Sequence, residues 1–537
     1  MPSRRWSSLG GGGALTLTSA FLFGLCFPLW RLHLLAWIAL APFLAGVRNA
    51  APGRALVLGW LWTIAAAAAV GNWFPGSLAA YYQQPLIVGF GFFLGVSCLM
   101  AAPYYMAFAV CYGWLARSPG PALPLVTAAA WVAAELARSR LLTGNPWALF
   151  GYSQVGVDPM VQVADLTGVY GVSFTLVAVN VLLVELWARR GDGWRPLLPS
   201  IGLVGVVVAG VLAYGQWRLA TLDRMPEGAR PIDVAMVQGN VDIGTQWHSD
   251  FYGRNLDVYL DLTSRVLEET APELVFWPEN AFTFFLDEEP TYRHAIARVL
   301  AASGAQLIAG GPRFEAADGR RFYNSVFLLS ADGSVLAHYD KVRLVPFAEY
   351  FPVPALDLLR RRFGRGREIT PGTSQAPLPT RGGPAGVMIC NEAMFPEIAR
   401  ARVRDGAVFL VDPAHDTWLT AKFSAQQFDI VTLRAVEQRR YLIRASTSGP
   451  SAIVDPLGRV PVRTDVFQRT VATGTVVPRT GMTPYGRLGD LFAYGCVVVV
   501  LTALLWRRAA PVPRATDTNG RRVRPPSPSL LPRWRAS

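Results

Sequence analysis

The stretch Gly386-Val387-Met388-Ile389-Cys390-Asn391-Glu392 places a cysteine and a glutamate directly after an apolar run that favours a β-strand. The other four cysteines lie in long apolar segments; they are Cys26, Cys98, Cys111 and Cys496. Cys390 therefore has no partner for a disulfide within its own, less apolar part of the chain. It is either a small buried side chain or a reactive thiol.

The chain around this stretch is unusually apolar. Of its 537 residues, 52% are hydrophobic and 16% are charged, which indicates a membrane component. Runs of roughly 17–25 mostly uncharged residues, the length that spans a bilayer, occur near 11–29, 33–47, 55–74, 86–116, 122–138, 165–187, 197–216 and 488–506. We therefore expect a polytopic α-helical membrane domain with about eight transmembrane helices. Seven would lie in a domain of residues 1–217 and the eighth in residues 486–508.

The distribution of charge predicts how the chain is oriented. The net charge of +13 could indicate nucleic-acid binding, but most of the excess arginine lies beside the apolar runs and in the tail, so we expect no nucleic-acid partner. If the spans alternate, most of these arginines fall on the cytoplasmic side, with Arg31 and Arg140 as exceptions. Residues 218–485 would then face outward, and residues 509–537 would form a basic, disordered cytosolic tail.

From Pro231 onward, short strand-like segments alternate with helical ones, a pattern typical of an α/β domain. The predicted strands are 232–237, 273–277, 305–309, 325–329, 385–389, 407–411 and 441–445. The predicted helices are about 252–269, 290–303, 395–404 and 424–439. These segments predict an extracytoplasmic α/β domain over 218–485, in which helices cover a sheet.

Two further residues give Cys390 a chemical role. Glu279 and Lys341 also stand on strand-like segments, and Lys341 is one of only two lysines among 50 basic residues, which indicates a position that needs an ammonium group. A thiol reacts as its thiolate and needs a base, a role for Glu279 if burial raises its pKa toward the operating pH. Lys341 would hold Glu279 and stabilise the oxyanion formed when sulfur adds to a carbonyl.

Each of these residues by itself has an ordinary explanation, as a paired carboxylate, a solvated lysine or a buried cysteine. Their flanking segments, however, resemble the three signatures of the nitrilase, or carbon–nitrogen hydrolase, superfamily. The segments are Trp277-Pro278-Glu279, residues 339–350 (Tyr-Asp-Lys-Val-Arg-Leu-Val-Pro-Phe-Ala-Glu-Tyr) and Ile389-Cys390-Asn391-Glu392. The resemblance implies a nitrilase-like α-β-β-α sandwich with a Glu-Lys-Cys catalytic triad.

Within that superfamily, residues of about 10–506 resemble the apolipoprotein N-acyltransferases. The features that carry this resemblance are the apolar spans, Val237-Gln238-Gly239-Asn240 with Trp247, Glu135-x-x-Arg138, Thr143-Gly144-Asn145-Pro146-Trp147 and Gly151-Tyr152-Ser153-Gln154. It implies that Cys390 takes an acyl chain from a phospholipid, such as phosphatidylethanolamine, as a thioester. The α-amine of a diacylglyceryl-cysteine apolipoprotein then takes the chain as an amide, the last step of lipoprotein maturation. The enzyme would be a multi-pass protein of the bacterial inner membrane, with its catalytic domain facing the periplasm or cell exterior.

The same resemblance assigns supporting residues. Glu349 and Glu392 would support the catalytic residues and the oxyanion, and Trp247 would shape substrate access. The further candidate substrate-binding residues are Tyr350, Asn391 and Trp418. The sequence departs from the family pattern at Asn391, where an aromatic residue is frequent. It also departs at 414–420, which reads Ala-His-Asp-Thr-Trp-Leu-Thr in place of Ser-Asn-Asp-Ala-Trp-Phe-Gly.

The residues leave two other functions open. The chain could be a membrane-tethered, nitrilase-type amidase that hydrolyses a small amide, or a non-catalytic scaffold. The apolar segments 282–286 and 350–358 suit an acyl chain better than a small polar substrate if they form a membrane-facing lid, but they could also be a small core beneath a loop. A scaffold, for its part, has no need of the three chemical residues.

Two smaller expectations concern buried charge and metals. Glu135 lies inside a predicted span, one turn before Arg138, so it either binds a lipid head group or forms a structural ion pair. The five histidines lack the spacing of metal ligands. We expect neither a metal nor a cofactor.

Overall fold

The N-terminal part of the chain is a bundle of apolar helices. The computed structural model describes residues 9–191, 193–222, 228, 230–241, 249–315, 321–351, 368–417 and 420–509. The helices of this part are α1 Leu9–Leu25, α2 Ala41–Val47, α3 Pro52–Gly71, α4 Phe74–Tyr82, α5 Leu86–Met100, α6 Ala102–Leu115, α7 Leu123–Arg140, α8 Asp158–Val161, α9 Ala164–Thr167, α10 Val169–Ala188 and α11 Leu198–Leu222. Short 3-10 helices lie at His33–Trp37, Phe150–Gln154 and Arg195–Leu197.

Fewer of these helices span a membrane by length and composition than the sequence predicts. Among the described residues, three helices are long and apolar enough: Pro52–Gly71, Val169–Ala188 and Arg195–Leu222. A fourth is added if α5 and α6, which meet at 45°, count as one span. Shorter apolar helices lie at Gly11–Leu25, His33–Val47 and Leu491–Trp506.

Two predicted spans differ from single straight helices, and proline accounts for both differences. The 33–47 run is a 3-10 turn followed by the seven-residue α2, whose first turn contains Pro42. The 86–116 run bends where Pro103 begins α6. Proline lacks the N–H and clashes with the preceding turn, so a helix starts at it more readily than it continues through it.

Aromatic side chains fill the centre of the bundle. Trp62 and Trp131 are 1% and 0% exposed, with ring centroids 5.3 Å apart. Gly59 lets α3 approach α6, because a Cβ there would lie 2.8 Å from the Cα of Met106. Small residues at such contacts bring helix backbones together and allow close van der Waals packing.

The α/β part of the chain is built on two six-stranded sheets. The strands are β1 Ile232–Gln238, β2 Leu274–Phe276, β3 Gln306–Glu315, β4 Arg321–Leu329, β5 Val335–Asp340, β6 Leu378–Thr380, β7 Gly383–Val387, β8 Phe409–Ala414, β9 Leu442–Ser446, β10 Ala452–Val454, β11 Val462–Arg463 and β12 Thr470–Val476. Their orders are β12-β1-β2-β3-β4-β5 and β11-β10-β9-β8-β7-β6. In each sheet three central strands are parallel, β1-β2-β3 and β7-β8-β9, and the flanking pairs are antiparallel.

Helices cover the outer faces of the sheets. The covering helices are α12 Ser249–Thr270, α13 Pro290–Ala301, α14 Pro396–Arg404 and α15 Ala421–Gln438. The short α16 Pro484–Leu488 and the apolar α17 Leu491–Ala509 follow, and α17 packs against α7 of the bundle. One apolar core, with Phe276, Ile389 and Phe409, lies between the sheets. Two more lie under α12 with α13 and under α14 with α15. The layers are therefore α-β-β-α, as the resemblance to the nitrilase superfamily implies.

The predicted strands and helices of this block are present, with ends shifted by a few residues. The strands β5, β6, β10, β11 and β12 were not predicted from the sequence; most of them are short or lie at sheet edges. The alternative that segment 282–286 is a small core is confirmed for Phe282 and Phe284, which are 0% and 1% exposed beneath the first sheet. Of segment 350–358, residues 352–358 lie outside the described residues.

Helix α15 joins the two parts of the molecule. Gln426 accepts hydrogen bonds from the indole N–H groups of Trp73 and Trp147, each at 3.1 Å, and donates to the Val70 carbonyl at 2.9 Å. Asp429 pairs with Arg31 at 2.6 Å. The opposite part of α15 packs in the core under the second sheet. The α/β domain thus rests directly on the helical bundle.

Candidate active site

Glu279, Lys341 and Cys390 meet although they are far apart in sequence. Glu279 follows β2, Lys341 follows β5 and Cys390 follows β7, so each side chain lies just beyond the carboxyl end of a strand. The Lys341 ammonium donates to Glu279 Oε1 at 3.1 Å. Ligands in sheets of this kind bind outside the carboxyl ends of parallel strands, where loops rather than ladder bonds surround them.

Glu279 is held as a carboxylate. It is 4% exposed, and it accepts hydrogen bonds from the Asn324 amide at 2.7 Å and from the His415 backbone N–H at 3.0 Å. Burial alone would raise the pKa of Glu279, but the Lys341 ammonium, helped by His415, holds that pKa below its ordinary value. The condition that the pKa of Glu279 rises toward the operating pH is therefore not met in the resting protein, because the adjacent cation outweighs the effect of burial.

Lys341 is held as an ammonium between two carboxylates. Its side chain is 1% exposed, and it donates to Glu349 Oε1 at 2.8 Å as well as to Glu279. Burial by itself would lower the pKa of Lys341, but Glu279 and Glu349 raise it well above the ordinary value. A fixed positive charge therefore lies beside the carboxylate in the resting protein.

The backbone at Cys390 turns sharply out of the sheet. Cys390 begins the 3-10 helix Cys390–Met394 and has φ of 54°, a left-handed conformation that is costly for a residue with a Cβ. Its Sγ–H donates to the His415 carbonyl at 3.9 Å. Burial and the negative charge of Glu279 raise the pKa of the Cys390 thiol, so the resting sulfur is protonated.

Glu392 links the segments that carry Cys390 and Lys341. The carboxylate is 0% exposed. It accepts from the Ile389, Val342 and Arg343 backbone N–H groups at 2.8, 2.8 and 2.9 Å, and from the Tyr339 hydroxyl at 2.9 Å. The side chain therefore acts on the position of two backbone segments. None of these hydrogen bonds joins the Glu392 carboxylate to the Cys390 sulfur or to the Lys341 ammonium.

The remaining predicted residues fall into two groups. Asn391 is 9% exposed and donates to the Arg343 carbonyl at 3.3 Å, while its Oδ1 has no hydrogen-bond partner among the described residues. Tyr350 is half-buried, and its carbonyl accepts from the Phe347 N–H at 2.7 Å. Trp247 and Trp418 lie outside the described residues.

Sequence reasoning missed two side chains of this site. Asn324 contacts both Glu279 and Glu349, at 2.7 and 3.2 Å, and Gln427 on α15 donates to Cys390 Sγ at 3.8 Å. For Asn324 a signal existed, since it is an amide just before the apolar run 326–329 of strand β4. For Gln427 no signal existed, because a polar residue on an amphipathic helix is ordinary.

The site lies against the helical bundle. Arg343, two residues after Lys341, donates to the Thr143 carbonyl at 2.5 Å. The Tyr82 hydroxyl donates to the Phe347 carbonyl at 2.6 Å, and the Phe92 and Phe347 rings are 5.1 Å apart. The loop that follows Lys341 is therefore anchored on apolar helices.

Glu135 and Arg138 hold the bundle segment nearest to α15. Glu135 is 0% exposed and accepts from the Phe150 N–H at 2.7 Å, while Arg138 donates to the Trp147 carbonyl at 2.6 Å. The two side chains are thus each bound to backbone, and they also interact electrostatically with each other, which favours the structural alternative. Within the described ranges, no three His, Cys, Asp or Glu side chains are grouped to hold a metal.

Comparisons with known proteins relate both parts of the chain to described families. Residues 19–182 match the apolipoprotein N-acyltransferase N-terminal domain, and residues 233–485 match the carbon-nitrogen hydrolase family. The apolipoprotein N-acyltransferase of Geobacter metallireducens is 35% identical over 505 residues, which cover 92% of this chain and 95% of that protein. The Azotobacter vinelandii protein of the same name is 33% identical over 532 residues, covering 94% and 97%.

Solved structures of the nitrilase superfamily are also similar. An amidase from Nesterenkonia is 20% identical, with a TM-score of 0.38, and the match covers 50% of this chain and 98% of the amidase. A Saccharomyces cerevisiae member of the superfamily is 19% identical, with a TM-score of 0.37, covering 53% and 96%. Similarity to curated proteins thus extends through both the apolar helices and the α/β domain.

Proposed function

The chain belongs to the apolipoprotein N-acyltransferase family, and we propose that it carries the acyl group as a thioester on Cys390. It is an acyltransferase that N-acylates lipoproteins. The observation that carries the proposed mechanism is that Lys341 Nζ lies 3.1 Å from Glu279 Oε1 and that both groups interact electrostatically with the Cys390 thiol, beside the apolar bundle.

In the first step the Cys390 sulfur adds to the carbonyl carbon of a phospholipid ester. Glu279 takes the thiol proton as the S–C bond forms, because the resting thiol is protonated and the resting carboxylate is not. The Lys341 ammonium stabilises the oxyanion. When the C–O bond to glycerol breaks, Glu279 returns the proton to the glycerol oxygen, and a lysophospholipid leaves behind an acyl thioester.

In the second step the free α-amine of a diacylglyceryl-cysteine apolipoprotein adds to the thioester carbonyl. Glu279 accepts a proton from the nitrogen, the C–S bond breaks, and the sulfur leaves as a thiolate that is protonated again by Glu279. The products are the N-acylated lipoprotein and free Cys390. The proton balance closes in both halves, so the cycle needs no cofactor.

The supporting residues act through position. Glu349 accepts a hydrogen bond from the Lys341 ammonium at 2.8 Å and so fixes the position of that group. Glu392 fixes the positions of the two backbone segments whose N–H groups it binds. Asn391 lies next to the nucleophile, and its buried Oδ1 has no hydrogen-bond partner among the described residues, so we assign Asn391 to substrate binding. We assign Tyr350, Trp247 and Trp418 to substrate binding on family resemblance.

We also propose an acyl donor and a cellular location for the enzyme. Phosphatidylethanolamine is the proposed donor, and the enzyme would lie in the bacterial inner membrane with residues 218–485 on the periplasmic or outer face. The helical domain 1–217 and the helix 486–508 would supply about eight spans, with 509–537 as a cytosolic tail. The support is the arginine bias of the sequence and the attachment of the catalytic loops to apolar helices.

The mass of the Cys390 adduct tests this function. Purified protein incubated with phosphatidylethanolamine should gain one acyl mass on the Cys390 peptide, which hydroxylamine removes, and Cys390→Ala should not gain it. A diacylglyceryl peptide with a free amine should discharge the adduct. No adduct with any of several phospholipids would overturn the thioester mechanism, and discharge by water at the same rate would favour the amidase alternative.

A further inference from the structure

A polar side chain outside the triad contacts the Cys390 sulfur. The Gln427 Nε2 donates to Sγ at 3.8 Å. Gln427 comes from α15, an element that carries neither Glu279 nor Lys341, and it is 1% exposed. The buried amide is therefore a hydrogen-bond donor that is in position before negative charge develops on the sulfur.

The orientation of this amide is fixed by a buried arginine. Arg444, on β9, donates to Gln427 Oε1 at 2.8 Å. Because a guanidinium group only donates, it must face the amide oxygen, and the NH2 group then faces the sulfur. Arg444 is also paired with Asp412 on β8, and both side chains are 0% exposed. The amide therefore cannot turn over without breaking a buried contact.

We propose that Gln427 is a further catalytic residue, which donates a hydrogen bond to the Cys390 sulfur as negative charge develops on it. Arg444 and Asp412 are positioning residues that hold the amide in its donating orientation. This inference rests on the proposed role of Cys390 as the nucleophile. Hydrogen bonds to charged partners are about twice as strong as those to neutral ones, so the bond favours the thiolate over the thiol.

The sulfur becomes negative twice in the cycle, when it attacks the ester and when the amine displaces it. The charged or titratable groups whose side chain or backbone faces it from the surrounding elements are Glu279, Lys341, Asp412, His415 and Arg444. Two of these groups are carboxylates, which disfavour the thiolate, and two are cations, which favour it. A neutral donor adds stabilisation to the sulfur without changing that balance.

Two substitutions in the full-length protein test the role of the donor. Gln427→Met keeps the length of the side chain and removes the N–H. Gln427→Glu keeps an oxygen for Arg444 and places a carboxylate oxygen near the sulfur. The matched control is Gln438→Met, on the same helix and 0% exposed, whose amide has no hydrogen-bond partner among the described residues.

Two measurements are made on each variant. The first is the pH dependence of Cys390 alkylation by iodoacetamide without lipid, followed on the Cys390 peptide by mass spectrometry. The second is the single-turnover rate of Cys390 acylation by phosphatidylethanolamine. We expect Gln427→Met to raise the midpoint of thiol ionisation by about one pH unit and to slow acylation about tenfold. Gln427→Glu should raise the midpoint further and slow acylation more, and Gln438→Met should match the wild type in both measurements.

The outcomes separate this inference from the proposed function. If the wild type gains no acyl adduct, the thioester mechanism fails; if the wild type is acylated and both Gln427 variants keep its ionisation midpoint, the role of Gln427 is overturned. Slower acylation with an unchanged midpoint also overturns it, since a merely structural effect would produce that result. Should Gln427→Met not fold, Gln427→Glu, which gains an ion pair with Arg444, provides the same comparison.

Discussion

At the scale of single residues, pairing sets the resting charges of the site. Glu279 is a carboxylate, Lys341 an ammonium and Cys390 a thiol, because the first two stabilise each other while the sulfur is buried beside a negative charge. In the proposed mechanism the proton therefore moves as the S–C bond forms, and the resting protein does not store a thiolate. We expect such a site to keep the thiol unreactive until an ester carbonyl is in place.

The chain's two lysines allow a matched test of the ammonium. Lys341→Arg should slow single-turnover acylation of Cys390 about 100-fold or more, since a lost oxyanion donor costs about 2.7–4 kcal/mol. The larger planar guanidinium cannot occupy a 1%-exposed space between Glu279 and Glu349 in the same geometry. Lys422→Arg, which changes a lysine bound to Ala69 and Asn72, should retain the wild-type rate. A Lys341→Arg rate within threefold of wild type would contradict the assignment.

At the scale of elements, α15 has two functional faces. One face presents Gln427 to the sulfur, and the other presents Gln426 and Asp429 to the helical bundle. Neighbouring residues on a helix point in different directions, so consecutive glutamines reach separate sites. Movement of the bundle against α15 would therefore change the contact between Gln427 and the Cys390 sulfur.

The Asp429 carboxyl makes this contact sensitive to pH. Burial, opposed by Arg31 and Arg463, raises the pKa of Asp429 to about 7, whereas an unfolded aspartate has a pKa of about 3.9. The folded protein thus binds a proton that the unfolded chain releases, so this group's contribution to stability is full below pH about 4 and is lost as pH rises through about 7. In detergent, the melting temperature of Asp429→Asn should fall less than that of wild type between pH 5 and pH 7. Parallel pH profiles for the two proteins would refute this.

At the scale of the whole molecule, the loop after Lys341 is docked on the bundle. Arg343 reaches the Thr143 carbonyl at 2.5 Å, and next to it Gly144 has φ of 74°. A Cβ at Gly144 would lie 2.5 Å from the Ser139 carbonyl oxygen and 2.8 Å from Arg343 Nη2. Only glycine fits both the conformation and the space there.

Substitution of this glycine tests the docking. Gly144→Ala should lower the free energy of unfolding by about 1–3 kcal/mol, because the new Cβ strains the backbone and the contact with Arg343. It should also slow acylation, because the strain is relieved by displacing the loop that contains Arg343 and, with it, Lys341. The control is Gly120→Ala, because no atom lies within 4 Å of a Cβ built at Gly120. Thermal unfolding and single-turnover acylation of both variants provide the measurement. Equal behaviour of the two variants would show that the docking does not support the site.

Much of the α/β domain could be predicted because its signals are local. Alternating apolar residues place strands and helices, and the residues flanking Glu279, Lys341 and Cys390 form recognisable motifs. Strands such as β11, with two residues, carry no periodicity to detect. The breaks in the apolar helices were not predicted for a similar reason, since apolar content alone does not show that a helix ends and a new one begins near Pro42 and Pro103.

The sequence by itself determined the family, and it predicted the reacting residues and the two-part architecture, because motif residues and hydrophobic periodicity are properties of short segments. The tertiary structure alone decided the charge states and the partners. Whether burial or a neighbouring cation governs the pKa of Glu279 depends on the 3.1 Å distance to Lys341, set by strands from distant parts of the chain. The contact between Gln427 and the Cys390 sulfur likewise exists only once α15 is packed against the second sheet, since such distances are not encoded in any one segment.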